Sequence, residues 1–434
     1  MTPLPEEWQT TTPGKQFPLG LICLFVALVL NAKVSLRGAA QVLTLLPGHL
    51  GLSFRVPDWT SGRGWLLCVG YYKLMRAKEQ ADDWVWLIDH SHQLGAEKCL
   101  LVLGIRLRDL PPAGECLRLE HLEPLEVLPV SSSNGDKVSK QLQTLTTKTG
   151  VPRAILRDDG SDLGKGVRLF RKRYPQTLDL YDIKHKSACL LKKTLGADAR
   201  WSEFQSQVGA TKCQLQQTEL AFLVPPSARP KARYMNVAEF VRWGEQTLQL
   251  VQTPSATVLQ HSTAERVEAK LGWLREYETA LNEWSDLMDT VGWAEEFVRR
   301  DGIYTEAGAD LELVLPANSP FASVVQMRRE LLDHVSEQAA GARPNERLPG
   351  STEVLESCFG KLKQVEKEQS RSGFTGMLLS LGVLVGKTTT EVVEAALKQC
   401  PLKCVYNWCR KKLGKTIQAK RQEAYATTRA TKTG

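Results

Sequence analysis

Trp84-Val-Trp-Leu-Ile-Asp89 is the stretch on which the reading of this chain turns. Five apolar residues of aromatic, β-branched and aliphatic type read as a buried strand, and the run stops at a carboxylate. Gln93-Leu-Gly-Ala-Glu97 reads as a turn and Lys98–Leu107 (KCLLVLGIRL) as a second strand, so the two form a hairpin. A third strand is expected within Leu119–Val130, a loop at Ser131-Ser-Ser-Asn-Gly135 and a helix over Asp136–Thr149. Pro152–Arg157 gives a fourth strand, which ends at Asp158. Asp158-Asp-Gly-Ser-Asp162 then opens a helix carrying Leu163, Val167 and Phe170, with Ser161 as its cap. Thr177–Ile183 is a fifth strand, and Lys184–Leu195 returns to helix. Three consecutive strands, then alternating helices and strands, predict an α/β fold around a mixed five-stranded sheet.

Carboxylates at the ends of buried strands are costly unless something compensates for their charge. Divalent metal ions do so, and two metals held by shared carboxylates can cut and rejoin phosphodiesters. Taken singly, Asp89 and Asp158 are as readily turn residues. Together, after the first and fourth strands, they are more specific. A third carboxylate, Glu356, lies on the helical pattern Ser351-Thr-Glu-Val-Leu-Glu-Ser-Cys-Phe-Gly-Lys-Leu-Lys363. Each choice has rivals. Asp159 and Asp162 compete with Asp158, and Asp162 suits the N-terminus of the following helix. Glu353 competes with Glu356, but it falls in the first turn, where a negative charge favours the helix dipole. Glu356 is followed by Phe359 as a core anchor and, seven residues on, by Lys363 on the same face. The bland alternative for that face is a solvated Glu/Lys surface.

In these contexts the chain resembles DDE-type insertion-sequence transposases with an RNase H-like catalytic core. Asp158 matches the family's Asp-x-Gly-(Ser/Thr) context, and the Glu356–Lys363 spacing resembles the motif whose basic residue holds transposon-end DNA. The resemblance implies an RNase H-like sheet in which Asp89 and Asp158 face one metal and Asp158 and Glu356 the other. It implies two Mg²⁺ ions, with Mn²⁺ as substitute, and cleavage at the element's 3′ ends followed by strand transfer. The implied partners are double-stranded DNA, both terminal inverted repeats and target, and further copies of the chain, at least a dimer. The implied location is the bacterial cytoplasm or nucleoid, with no membrane. Two alternatives stay open: a structure-selective nuclease on the same fold, and an inactive transposase-derived DNA-binding protein.

Residues 1–16 read as a flexible leader. Phe17–Leu30 (FPLGLICLFVALVL) suggests a membrane span, but a helix needs roughly 20 apolar residues to cross a bilayer, and no small-residue cleavage pattern follows. A buried core helix is expected instead. Ser35 can cap a second helix that Pro47-Gly48 breaks, and Asp58 or Thr60 a third running through Leu74. Residues 17–80 therefore read as a helical, helix-turn-helix-like DNA-binding domain, in which Arg55, Arg63, Lys73 and Arg76 serve phosphates. A plain helical bundle reads equally well from the residues alone.

The RNase H-like core is expected over 81–196 and resumes at 346–385. Asp158 and Glu356 stand 198 residues apart, and the Trp-rich stretch 197–345 has helical periodicity, as in Leu271–Trp284. It is expected to be a mostly helical insertion flanked by linkers at Pro225–Pro230 and Gly341–Pro344. The segment 386–434 is a basic C-terminal helix and tail. From Lys387 onward there are eleven Lys/Arg against three Glu, as large an excess as the +8 of all 434 residues, the pattern of phosphate-backbone contacts or of a solvated tail. The ten cysteines sit mostly in apolar runs and read as free thiols; Cys400, Cys404 and Cys409 lack the spacing of a zinc site. Gly382–Thr388 is one residue short of a phosphate-binding loop. His90 and His92 read as core or DNA-near residues, and Asp182-Ile-Lys-His185 as a supporting segment resembling one found in transposases.

Overall fold

The structure is a computed structural model that describes residues 8, 11, 14–50, 54–94, 97–227, 237–366, 375–413, 415 and 417–430. Most of the expected leader, Gly95-Ala96 of the hairpin turn, the second half of the Pro225–Pro230 linker and the last four residues lie outside these. The chain forms two compact units, Met1–Leu180 with Thr352–Gly434, and Tyr181–Ser351.

In the first unit, helices α1 (Leu19–Leu30), α2 (Leu36–Leu50) and α3 (Trp59–Met75) precede strands β1 (Trp84–Leu94), β2 (Glu97–Arg106) and β3 (Glu123–Val130). Helix α4 (Gly135–Thr149), β4 (Ala154–Arg157), α5 (Ser161–Arg173) and β5 (Leu178–Tyr181) follow. The strands form one mixed sheet in the order β3-β2-β1-β4-β5, with β1–β2 and β2–β3 antiparallel and β1–β4 parallel. Period-two alternation puts Trp84, Trp86 and Ile88 of β1, Leu100 and Val102 of β2 and Ile155 of β4 in one apolar cluster. Val138, Leu142 and Leu145 of α4 and Leu163, Val167 and Phe170 of α5 complete it. Asn134 caps α4 by accepting from Lys137 N, whereas α5 begins at Ser161 with Gly160 in the cap position, so Ser161 is not its cap.

The N-terminal helices fall in the same compact unit as the sheet. Helix α3 begins as foreseen at the Asp58 cap, whose carboxylate accepts from Thr60 N. It is then enclosed, with Trp65, Leu66, Leu67, Cys68, Val69, Lys73 and Leu74 all buried. A Cβ at Gly62 would strike the Phe25 ring of α1, and one at Gly70 the Leu379 carbonyl. Glycine is a poor helix former, and here it permits backbone approach that no other residue allows. Thr60 and Met75 at the ends of α3 are exposed, and Trp59, Ser61, Arg63, Tyr71 and Tyr72 are half-buried. Pro47 lies inside α2 rather than breaking it, in the last turn of a helix that runs on to Leu50. Helix α1, with Leu21, Ile22 and Phe25 fully buried, is a core helix of 12 residues. No helix among the described residues is long and apolar enough to cross a membrane.

The second unit carries helices α6 (Ile183–Gly196), α7 (Ala199–Leu215), α8 (Val237–Gln252), α9 (Ala256–His261), α10 (Ala264–Leu271), α11 (Glu278–Asp301), α12 (Ala307–Val314) and α13 (Ala322–Ala339). Its bounds are wider than the 197–345 expected. Tryptophans organise its core. Trp201 and Trp284 meet edge-on at 4.9 Å between centroids, and Phe204 packs 5.2 Å from Trp284, geometries favoured by the ring quadrupoles. Trp284 Nε1 donates to Asp198 (3.1 Å), whose carboxylate also accepts from Arg200 N at the start of α7.

His334 is 5% exposed and lies edge-on to Tyr181. Burial, reinforced by the Lys186 charge, pushes its pKa from 6.5 down to about 4. Between those values the unfolded chain binds a proton that the folded chain refuses, so stability falls as pH drops from 6.5 toward 4. The loss is on the order of 3 kcal/mol. Urea unfolding at pH 7 and pH 4.5 should therefore show a steeper acid loss for the native chain than for His334→Phe. Equal pH slopes would contradict this account.

Candidate active site

The parallel register of β1 and β4 pairs Val85 with Ala154, Trp86 with Ile155, Leu87 with Leu156 and Ile88 with Arg157. Asp89 is the next residue of β1 after that last pair, and Asp158 the first residue after β4. Because Trp86, Ile88 and Ile155 face α4 and α5, alternation turns Val85, Leu87 and Asp89, and likewise Ala154 and Leu156, to the opposite face. Helix α14 (Glu353–Glu366) packs on β1. Glu353 and Glu356 both stand in its first turn, and Val354, Leu355, Cys358, Phe359 and Leu362 are its buried residues. Phe359 is thus the anchor expected from the sequence. Asp89 lies inside β1, which runs on to Leu94 rather than ending at the carboxylate as expected, Asp158 directly follows β4, and Glu356 lies on a helix that packs on β1.

They are not drawn into a closed ligand set. Among the described residues no three His, Cys, Asp or Glu side chains are grouped so that they could hold a metal ion. The donors are carboxylate oxygens, the chemistry that magnesium and manganese accept.

Several contacts fix the ends of these strands. Arg157 forks onto Asp179 of β5 at 2.8 and 3.0 Å and donates to the Asp158 carbonyl at 2.9 Å. This half-buried bidentate pair pins the backbone from which Asp158 projects. Asp158 Oδ1 accepts from Gly160 N at 2.9 Å, which is the turn role that competes with the chemical one. Asp159 is exposed. The β1–β2 ladder slips by one residue between His90 and Gln93, directly beyond Asp89, a local irregularity of the kind that re-aims a strand end.

Asp162 proves to be a structural hub. It accepts from Lys98 of β2 at 2.9 Å and from Leu163 N at 3.1 Å, and lies 3.7 Å from His90 Nδ1. Burial opposes its ionisation, but the bonds from Lys98 and Ser133 outweigh that and hold its pKa below the ordinary value. His90, whose Nε2 lies 3.2 Å from Ser133 Oγ, belongs to this cluster, and burial keeps its pKa low. The side chain of His92 lies outside the described residues. In the second unit, Asp182 caps α6 and meets His185 Nδ1 at 2.6 Å.

The expected DNA-binding cations divide. Lys363 is exposed on α14. Arg63 is half-buried on α3, with no ion-pair partner among the described residues, and its charge reaches Cys409. Arg76 is committed to Glu123 through a bidentate pair at 2.8 and 2.7 Å. Lys73 is a correction. It is 0% exposed, and its ammonium donates to the carbonyls of Gly386 (3.0 Å) and Lys387 (3.3 Å), to Thr388 Oγ1 (3.1 Å) and to the Val385 carbonyl. A buried ammonium saturated by main-chain oxygens cannot reach a phosphate. The same contacts explain the near-miss motif Gly382–Thr388: its carbonyls surround a lysine.

Two further helices, α15 (Ser380–Leu384) and α16 (Thr390–Gln399), lead to α17 (Leu402–Lys412) and α18 (Ile417–Ala430). Helices α15, α16 and α17 pack on α3. The sequence reading did not single out α17, although its pattern of cations on one side and apolar residues on the other was available.

Neither a protein-family model nor a curated protein matches the chain. Among solved structures, the chain is similar to one described as a Drosophila P element transposase strand transfer complex, with 10% identity, a TM-score of 0.37, 89% of this chain covered and 94% of that chain. A likeness of that degree assigns no role to any residue.

Proposed function

We propose that the chain is a DDE-type transposase that cleaves DNA at the ends of a mobile element and transfers the freed strand into target DNA. The observation that supports the reading is the β1–β4 register, whose last pair, Ile88 with Arg157, immediately precedes Asp89 and Asp158, together with the packing of the Glu356 helix on β1. The strand order β3-β2-β1-β4-β5, with its antiparallel trio and parallel addition, is the one an RNase H-like core requires. In this reading Asp89 and Asp158 hold one Mg²⁺ or Mn²⁺ ion, and Asp158 and Glu356 the second. The bound ions would supply a water nucleophile near neutral pH and stabilise both oxygens of an in-line displacement. Arg157 keeps Asp158 in place, Lys363 contacts end DNA, and a dimer or larger assembly pairs the two ends.

Glu356→Gln should abolish cleavage while sparing DNA binding, and Glu353→Gln should retain substantial activity. Gel assays of both variants on end-bearing DNA with magnesium decide between them, and reversed phenotypes would transfer the role to Glu353. A second reading is an inactive, transposase-derived DNA-binding protein, favoured by the absence of a closed ligand set among the described residues. It expects native and Asp158→Asn chains to bind Mn²⁺ equally, measured by the ion's electron spin resonance signal. The first reading expects the variant to lose Mn²⁺.

A further inference from the structure

We infer that the exposed face of α17 is the surface that reads duplex DNA sequence. Lys403, Tyr406, Asn407, Arg410 and Lys411 recur at i, i+3, i+4, i+7 and i+8, one side of a helix. All five are exposed, Tyr406 at 56%. The other side is anchored. Val405 is fully buried and Trp408 nearly so, Leu402 packs over Gly64 of α3, and the helix is held on α3.

Charge argues for a polyanion. Leu402–Lys412 contains no acidic residue. Lys403, Arg410, Lys411 and Lys412 have no ion-pair partner among the described residues, unlike Lys398 of α16, which pairs with Glu394 at 2.6 Å. Arg63, also unpaired, stands on α3 near Cys409 of this helix. Unneutralised cations on one rigid face raise the local anion concentration.

The side-chain types argue for duplex DNA rather than a membrane or RNA. A membrane-surface helix must insert its apolar face, and that of α17 is already buried. A helix is roughly 10–12 Å across with its side chains and fits the ~12 Å wide major groove of B-DNA, whereas the deep, narrow major groove of A-form RNA excludes it. Asn and Arg are the side chains that pair bidentately with adenine and guanine edges. Asn407 and Arg410, at the centre of the face, are assigned that readout, and Lys403 and Lys411 the flanking phosphates. This inference deepens the proposed function and rests on it for the identity of the partner, but not on the carboxylates.

The test is selection from a library of duplexes with randomised cores by the full-length chain in EDTA, which separates binding from cleavage. The native chain should enrich one motif. The Asn407→Ala, Arg410→Ala double variant should lose that preference, with affinity for the selected duplex falling on the order of 10- to 100-fold and affinity for random duplex little changed. Lys403→Ala with Lys411→Ala should instead weaken all duplexes and flatten the salt dependence of log affinity by about 2. Because these side chains are exposed, the variants should melt as the native chain does. An unchanged motif in the double variant, no motif from the native chain, or tighter binding to single-stranded RNA or anionic vesicles would each overturn the inference. Motif selection without any metal-dependent cleavage would sink the proposed function and leave this inference standing.

Discussion

Asp158→Asn in the full-length chain should lower both cleavage at element ends and strand transfer by about 10³-fold, the scale of losing a major electrostatic stabiliser of the transition state. Asp89→Asn and Glu356→Gln should do the same. The three effects should not add, because residues acting as a unit lose their joint function at the first substitution. DNA binding should persist in each variant, since none of the three lies on the basic face of α17. A control separates chemistry from structure. Asp162→Asn removes a carboxylate only four residues from Asp158, but its oxygens hold Lys98 and the start of α5. It should cost stability and only a modest part of the rate. If Asp162→Asn were as inactive as Asp158→Asn yet folded and bound DNA normally, the assignment of Asp158 would be wrong.

The second large effect concerns Lys73. Lys73→Ala should destabilise the first unit by about 3 kcal/mol, because it strips four oxygen acceptors of their donor and opens a cavity. Lys73→Met restores most of the volume without the donor and should keep most of the loss. Urea unfolding measures both, and a Met variant as stable as the native chain would mean that packing alone holds the 385–388 segment to α3. Burial lowers the Lys73 pKa from 10.5 to about 8, although Glu123 opposes this. Between pH 8 and 10.5 the unfolded chain therefore carries the extra proton, and the Lys73 contribution makes stability rise with pH across that window.

The sheet was legible because its signal is local. The all-apolar run Trp84–Ile88 and the turn-bounded run Lys98–Leu107 mark strands, and the structure places strands there. The long-range pairing of β1 with β4, up to Ile88 and Arg157, follows from strand order. Lys73 was misread for a physical reason. Charges near a predicted helix do not reveal whether their side chains point outward. Lys73 sits in the apolar run Trp65–Leu74 and turns inward to carbonyls contributed from 312 or more residues away. The warning was the trio Gly62, Gly64 and Gly70, since a helix with three glycines gains little from propensity and forms because neighbours pack against its backbone. The α17 face was legible in principle, as Lys403 to Lys411 keep helical spacing. It was absorbed into a basic arm because net charge over a window hides which side of a helix the charge occupies. The Arg157–Asp179 clamp joins two strands through side chains, and no local pattern announces such a pair.

The most direct test of the central claim is to incubate the full-length chain with magnesium, a linear duplex bearing its element's flanking inverted repeats and a supercoiled plasmid target. The account predicts nicking at the 3′ ends of the repeats and plasmid joined covalently to those ends, both lost in EDTA and both lost in Asp158→Asn. Cleavage without joined products would favour the structure-selective nuclease, and native chain that binds the repeats but yields neither product with magnesium or manganese would contradict the account.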